Sequence, residues 1–250
     1  MEWYIYLAVV GIGFVAGFIN TLAGGGSALS LPMLIFTGMP ANVANGTNRI
    51  AILFQSLVAT AEFKKSNVLS TRENLWLIIP SILGTIPGAI LAVNINEALM
   101  QQVIGFILIF ILLIVLFKPD IWIKSRAGLV SSKSHWVNVL VFFAIGMYGG
   151  FIQVGVGYFM LAALVLINGM DLLKSNALKV LLVLLFTPLA LIIFMLTNQV
   201  DYLMGFVLAI GNVLGAWVAA KTAMKWGPQY IRYILIAGLL LSTAKLFNLF

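Results

Sequence analysis

Long apolar runs separated by short polar segments dominate the pattern of the chain. A transmembrane helix needs about 20 consecutive apolar residues, with a range of about 17–25. Six runs meet this length and predict membrane-spanning helices: 42–61, 75–93, 98–117, 172–196, 202–220 and 230–247. Since the runs are continuous rather than alternating, they favour helices over the strands of a β-barrel. The fold class predicted is therefore an all-α polytopic membrane protein.

Glycines interrupt the remaining apolar stretches. Gly24-Gly25-Gly26 separates the run 3–23 from the short run 28–38, and Gly155-Val156-Gly157 marks the junction of 136–152 with 154–168. We interpret each pair as a broken-helix hairpin that enters the membrane and returns. Non-helical backbone persists at this depth only where protein or a cavity surrounds it. Both breaks are therefore expected inside the helix bundle.

Composition narrows the class of protein further. The 250 residues are 62% hydrophobic and 8% charged, against about 25% charged residues in a soluble domain. The chain has no cysteine and one histidine, so it offers neither thiolate chemistry nor a Cys-based metal site. A membrane enzyme would need a nucleophile with its base, or metal ligands, inside the bilayer. We expect no enzyme activity, no metal and no cofactor.

The basic residues predict the orientation in the membrane. Most of them lie in short polar segments on one predicted side, which we assign as cytoplasmic because Lys and Arg accumulate in cytoplasmic loops. Both termini are then expected outside. The net charge of +7 is interpreted as topology-setting charge rather than as a nucleic-acid surface. The residues assigned to this side are Lys64, Lys65, Arg72, Lys118, Lys124, Arg126, Lys133, Lys174, Lys221, Lys225 and Arg232.

The two halves of the chain resemble each other. The loop after run 42–61 is basic, whereas the corresponding loop after run 172–196 contains no Lys or Arg. Equivalent loops are therefore expected on opposite faces of the membrane. This predicts two inverted repeats, 1–117 and 136–250, joined by a cytoplasmic linker at 118–135; each repeat has one broken-helix hairpin and three full spans. Inverted repeats with discontinuous helices are typical of secondary transporters. Three echoes in order carry the comparison: Gly24-Gly25-Gly26 with Gly155-Val156-Gly157, Thr37-Gly38-Met39-Pro40 with Asn168-Gly169-Met170-Asp171, and Gly84 to Ala89 with Gly211 to Ala216.

Two cations are predicted deep in the bilayer. Arg49 lies about nine residues, or roughly 13 Å, into its run, and Lys179 reaches a similar depth from the other face. A charge at the bilayer centre costs at least about 2.5–3.5 kcal/mol, which favours a functional role. They either bind an anionic substrate or pair with the carbonyl ends of the broken helices. The acidic residues map to run ends and loops, so a buried carboxylate as proton or sodium site is not expected.

The glycine turns and nearby polar residues complete the candidate site. We expect Ser27 to be the N-cap of a short helix that starts at Ala28, with its free N–H groups facing the bundle interior and favouring an anion. Close helix packing is the alternative role of these glycines. The candidate substrate-binding residues are Arg49, Lys179, Gly24, Gly25, Gly26, Ser27, Asn20, Asn45, Thr47, Asn48, Gln153, Gly155, Gly157 and Asn176.

The motifs resemble those of the TauE/SafE family of sulfite exporters and related permeases. The similar segments are Gly13-x3-Gly17-Phe18-x5-Gly24-Gly25-Gly26-Ser27, Ala44-x-Gly46-Thr47-Asn48-Arg49, Gly149-Gly150-Phe151-x3-Gly155-x-Gly157 and Asn176-Ala177-x-Lys179. The chain has Asn48-Arg49 where members often have Asn-Lys, so the cation is kept with a different headgroup. The resemblance covers nearly the whole chain. It implies a carrier of sulfite, sulfonates or other small organic anions in a prokaryotic cytoplasmic membrane.

These observations lead to one functional hypothesis with open alternatives. We expect a secondary transporter, acting as an exporter, that moves a small oxyanion such as sulfite or an organosulfonate by alternating access. An anion channel on the same fold, or a permease for another small organic anion, is the alternative. The predicted partners are the anion and the lipid bilayer, with no nucleic acid. The protein is expected to be a monomer or a homodimer.

Overall fold

The computed structural model describes residues 2–69, 75–117 and 135–222, and this part of the chain is helical throughout. The predicted run 230–247 and nearly all of the predicted linker lie outside the described residues. The all-α prediction is confirmed. The helices are α1 (Trp3–Leu22), α2 (Ser27–Phe36), α3 (Ala41–Lys65), α4 (Ile78–Asn94, after a 3-10 turn at Leu75–Leu77), α5 (Glu97–Phe117), α6 (His135–Phe151), α7 (Val156–Ala162, continued by a π-helical turn at Ala163–Ile167), α8 (Leu172–Leu196) and α9 (Tyr202–Thr222).

Membrane-length helices are present in the described part of the chain. α1, α8 and α9 are each long and apolar enough to cross a bilayer. α3 has 25 residues as well, but it carries buried polar residues that include Asn45, Arg49 and Gln55. α2 has 10 residues and α7 has 7, so neither crosses alone at about 1.5 Å per residue. The short runs 28–38 and 154–168 thus form helices too short to span a bilayer, and their return to the same face stays a prediction.

Hydrogen bonds gather one set of helix ends. Thr47 at the start of α3 accepts from the backbone N–H of Asp201 at 2.8 Å, and Gln199 donates to the Val93 carbonyl at 2.9 Å. Asn42 donates to the carbonyl of Ile95 at 2.7 Å. These contacts bring together the starts of α3, α5 and α9 and the ends of α4 and α8.

The opposite end of the bundle carries the basic residues of the described helices. The end of α3, the start of α8 and the end of α9 share an apolar cluster that includes Phe63, Ala177 and Ala220. Trp76 stacks on His135 with ring centroids 4.3 Å apart, which places the starts of α4 and α6 together. The described basic residues outside the helix interiors all belong to this end: Lys64, Lys65, Lys174 and Lys221.

Two pairs of helices run parallel to each other in close backbone contact. A Cβ on Gly13 or Gly17 of α1 would overlap the backbone of Leu208 or Asn212 in α9. In the same way, a Cβ on Gly84 of α4 would overlap the α6 backbone. Small residues let helices approach closely in a membrane, and the Gly84/Gly88 and Gly211/Gly215 patterns serve this purpose here.

The backbone repeats its unusual conformations at one fixed spacing. Left-handed φ values occur at Gly24 and Gly155 (90° and 75°), at Gly38 and Gly169 (89° and 64°), and at Asn67 and Asn198 (55° and 56°), so each pair is separated by 131 positions. α3 and α8 follow the same offset and are both 25 residues long. The chain therefore changes direction at equivalent positions in its two halves.

Candidate functional site

The two glycine breaks meet in the interior of the bundle. Gly24 has a φ of 90° and Gly155 a φ of 75°, conformations that glycine adopts without steric cost. A Cβ on Gly24 would overlap the backbone of Gly157, and a Cβ on Gly157 would overlap that of Gly24. All these residues are buried. The α1–α2 and α6–α7 connections thus cross in direct backbone contact.

Arg49 binds the end of α6. Its guanidinium donates from Nη1 to the Gly149 carbonyl at 3.0 Å, and from Nη2 to the carbonyls of Gly150 at 2.6 Å and Phe151 at 3.5 Å. The ring of Phe194 lies 4.6 Å from the guanidinium carbon. The last carbonyls of a helix have no partner within it and carry a partial negative charge, which a cation satisfies.

Lys179 binds the end of α1 in an equivalent way. Its ammonium donates to the carbonyls of Asn20 at 3.0 Å and Thr21 at 3.1 Å, and to Asn176 Oδ1 at 2.6 Å. Asn20 and Phe151, which receive the two cations, are themselves 131 positions apart. Each cation therefore lies on a helix of one half and binds a broken helix of the other. The two cations have separate partners and share none of these hydrogen bonds.

The predicted amides have structural partners at or near the breaks. Asn45 donates to the Phe151 carbonyl at 2.8 Å, and Asn48 Oδ1 accepts from Ser30 at 2.7 Å. Gln153 donates to Thr187 at 3.0 Å. Thr47, by contrast, lies under the α8–α9 connection, where it accepts from Asp201. The structure thus gathers Asn20, Asn45, Gln153 and Asn176 around the broken helix ends and leaves Thr47 toward the outer end of α3.

The predicted role of Ser27 as N-cap is wrong. α2 already includes Ser27, and the residue before it, Gly26, has helical φ and ψ of −60° and −29°. The Gly25 and Gly26 carbonyls accept from the N–H groups of Ala28 and Leu29. The helix starts early because the left-handed Gly24 completes the reversal before Gly25. The Ser27 hydroxyl is buried and has no hydrogen-bond partner among the described residues.

The glycines beside the turn lie against neighbouring elements. A Cβ on Gly25 would overlap the side chain of Tyr158, and a Cβ on Gly26 would overlap the backbone of Ala16. Close packing, the alternative role considered for the glycine turns, therefore applies at Gly25 and Gly26 in this conformation.

Arg49 and Lys179 are the buried charged side chains of the described residues. Their partners are carbonyl and amide oxygens, which satisfy N–H groups without cancelling the charge. Neither cation forms an ion pair with a carboxylate in the described part of the chain. The interior around the breaks therefore keeps an excess of positive charge, which suits an anion.

Sequence reasoning did not select three polar residues that the structure places at the site. Gln55 and Ser56 of α3 line a small cavity together with Asn20, Gln153 and Lys179. Asn212 of α9 donates to Gln55 Oε1 at 3.0 Å. Gln55 lies seven positions after Asn48, which is two helical turns and therefore the same face of α3. That spacing is the signal that could have identified it.

Comparison with known proteins agrees with this architecture. Residues 9–246 match the family described as "Sulfite exporter TauE/SafE". A "Probable membrane transporter protein" of Haemophilus influenzae is 31% identical over 235 residues, covering 94% of this chain and 91% of the relative. The "Probable membrane transporter protein YfcA" of Escherichia coli K12 is 29% identical, covering 94% and 87%.

The chain also resembles a more distant relative. The "Probable membrane transporter protein YjnA" of Bacillus subtilis is 21% identical over 247 residues. No solved structure matches the chain. The family match covers nearly the whole length, and the bacterial relatives are named probable membrane transporter proteins, so this chain belongs to the TauE/SafE sulfite exporter family of membrane transporters.

Proposed function

We propose that this protein is a secondary carrier that exports a small oxyanion, sulfite or an organosulfonate, by alternating access. One observation carries the proposal: two broken helices cross at Gly24 and Gly157, and the buried charges around them are both positive. An anion that entered this region would find cations that no described carboxylate neutralises. A metal cation or an organic cation would be repelled from the same place.

The geometry supports an inverted pair of repeats, an arrangement that many alternating-access transporters have. α1 lies parallel to α9 and α4 parallel to α6, and both pairs are held by glycines. α1 runs from the end of the bundle that lacks the described basic residues, whereas α6 starts at the basic end beside Trp76. With the fixed offset of 131 positions, these relations fit two halves that insert in opposite directions. Transporters of this design bind substrate where the repeats meet.

The carbonyl contacts of Arg49 and Lys179 are part of the proposed mechanism. Each cation joins a long helix of one half to a broken helix of the other, so movement between the halves must lengthen these bonds. An anion near the crossing would compensate the cation as the carbonyl contacts weaken. The cations thereby connect the position of the broken helices to the presence of the substrate.

A carrier fits the interior better than an open pore. The polar cavity beside Lys179 has a volume of about 10 Å³. A cavity of about 10–15 Å³ holds one water molecule, so this cavity is too small for an anion in this conformation. A carrier passes through such closed states in every cycle.

Reconstitution in liposomes tests the proposal. Radiolabelled sulfite uptake should saturate with concentration and should be faster into liposomes preloaded with unlabelled sulfite, because exchange is a property of carriers and not of channels. Lys179→Ala and Arg49→Ala should lose uptake, and Lys174→Ala at the exposed start of α8 is the matched control. Failure of the wild-type protein to move any sulfur oxyanion or sulfonate would reject the function. Normal uptake by both interior variants would reject the assignment of these cations.

A further inference from the structure

One polar cavity lies beside the crossing, and residues of both halves line it. The polar lining comes from Asn20 in α1, Gln55 and Ser56 in α3, Gln153 between α6 and α7, and Lys179 in α8. The remaining lining residues are Gly24, Val156, Gly157, Val180 and Val183. Gln55, Ser56, Gln153 and Lys179 are all less than 4% exposed. Because both halves contribute side chains, any movement between the halves changes the size of the cavity.

Two hydrogen-bond donors in the lining of this cavity have no partner among the described residues. Gln55 Oε1 accepts from Asn212 Nδ2, and the Nε2 group of Gln55 has no bond to any described residue. The Ser56 hydroxyl likewise has no hydrogen bond within the described part of the chain, although Ser56 is only 2% exposed. Two donors that have no partner among the described residues and belong to residues lining one cavity favour a ligand that accepts hydrogen bonds.

Gln153 can supply a further donor. Its Nε2 donates to Thr187, while its buried Oε1 has no partner among the described residues. A half-turn of the amide would let the Thr187 hydroxyl donate to Oε1 and would turn Nε2 toward the cavity. An amide and a hydroxyl can exchange roles in this way because each has both a donor and an acceptor.

Charge identifies the class of ligand. Lys179 is the charged residue of this lining, and no carboxylate takes part in it. Arg49 does not line the cavity, since its guanidinium is covered by Phe194 and bonded to the α6 carbonyls. We infer that this cavity is the oxyanion site, with Lys179 as the charged contact and Gln55, Ser56 and Gln153 as neutral donors, and that Arg49 positions α6 without touching the substrate.

This inference rests on the proposed transport of an oxyanion and specifies which residues hold it. Asn212 positions Gln55, because its hydrogen bond holds one end of the amide and leaves the other end for the ligand. The observed volume of about 10 Å³ is too small for an oxyanion, so the two halves must separate for one to enter. Gln55 and Ser56 are then the contacts supplied by the first half, and Gln153 and Lys179 those supplied by the second.

An isosteric substitution tests the site. Gln55→Glu keeps the oxygen that accepts from Asn212 but replaces the free donor with a negatively charged acceptor. Sulfite uptake into liposomes should fall about 100-fold or more, because like charges brought together at a buried site strongly oppose binding. Ser56→Ala removes one donor to an anion and should raise the half-saturating sulfite concentration about tenfold. Gln101→Glu makes the same chemical change at an exposed position of α5, outside the cavity, and should stay within about twofold of wild type.

The outcomes separate this site from the proposed function. If the wild-type protein transports sulfite and both Gln55→Glu and Ser56→Ala keep its half-saturating concentration, the site is overturned and the transport function stands. If the wild-type protein neither binds nor transports an oxyanion, the function and the site are both rejected. Should Gln55→Glu fail to fold, as judged by gel filtration, Ser56→Ala decides the question alone. Reduced uptake by Arg49→Lys with an unchanged half-saturating concentration would support the positioning role of Arg49.

Discussion

The Arg49 guanidinium donates to the carbonyl oxygen of Gly150, with Nη2 and O 2.6 Å apart and 101 positions between the two residues. Lys179 makes the equivalent contact with Asn20 in the other half of the chain. The cations thus replace the partners that the last turns of α1 and α6 lose when these helices end inside the bundle. Without such partners, helix ends in an apolar interior would be costly.

Arg49→Met should therefore destabilise the protein. Methionine retains much of the apolar length of the side chain but leaves the carbonyls of Gly149 and Gly150 unsatisfied. Each unsatisfied buried group costs about 1–3 kcal/mol, so a loss of about 2 kcal/mol or more is expected. Thermal unfolding in detergent, followed by tryptophan fluorescence, measures the shift. Lys221→Met is the control: this lysine lies 3.8 Å from the Trp217 ring near the helix end, and its loss should change stability by less than about 1 kcal/mol.

The crossing of the breaks should tolerate no added methyl group. Gly157→Ala would place a Cβ in the backbone of Gly24, and Gly24→Ala would add left-handed strain to the same overlap. Both variants should lose folded protein and transport. Two controls separate steric overlap from left-handed backbone strain. Gly11→Ala has open space around its Cβ, and Gly38→Ala combines open space with a φ of 89°. Gly11→Ala should be neutral or stabilising, while Gly38→Ala should cost about 1–2 kcal/mol.

The glycine series would contradict the crossing if Gly157→Ala behaved like Gly11→Ala. If Gly24→Ala and Gly38→Ala instead lowered the free energy of unfolding equally, backbone strain alone would explain both losses. Expression level, gel filtration and the midpoint of thermal unfolding should rank the four variants in one order: Gly11→Ala, Gly38→Ala, Gly157→Ala, Gly24→Ala from most to least stable.

The hydrophobic pattern predicted helix positions well where they depend only on the residues of the helix itself. The run 172–196 coincides with α8, and the glycines at Gly24 and Gly155 mark the breaks because the left-handed backbone there is local. The one-residue error at the start of the short helix is also local in origin. Ser27 has the chemistry of an N-cap, but Gly24 reverses the chain and helical backbone begins before Ser27.

The partners of the site residues could not be predicted from one helix at a time. Arg49 and Lys179 were expected at depth, but whether they bind carbonyls depends on contacts with α6 and α1 that lie 100 and 159 positions away. Gln55 was one of several polar residues in an apolar run. Gln55 stands out as a site residue only because of its contact with Asn212, 157 positions later, and because of the cavity beside the crossing.

Thr47→Val should lower stability without changing the apparent affinity for substrate. The Thr47 hydroxyl accepts from the N–H of Asp201 at 2.8 Å, away from the cavity, and valine has the same shape without the acceptor. Loss of this acceptor should cost about 1–3 kcal/mol if the N–H remains buried. The half-saturating sulfite concentration in liposomes should stay within about twofold of wild type. A tenfold rise would restore Thr47 to the substrate-binding residues.

Equivalent loops of the two halves should react from opposite sides of the membrane. Lys64 near the end of α3 and Asn198 after α8 are both exposed, and they belong to corresponding segments of the proposed inverted repeats. The chain has no cysteine, so Lys64→Cys and Asn198→Cys can each be labelled without background. In intact cells a membrane-impermeant maleimide should label Asn198→Cys, because the segment after α8 lacks basic residues, whereas Lys64→Cys should react only after permeabilisation. Labelling of both from one side would refute the inverted arrangement, and exchange of the two results would preserve the repeats but reverse the orientation.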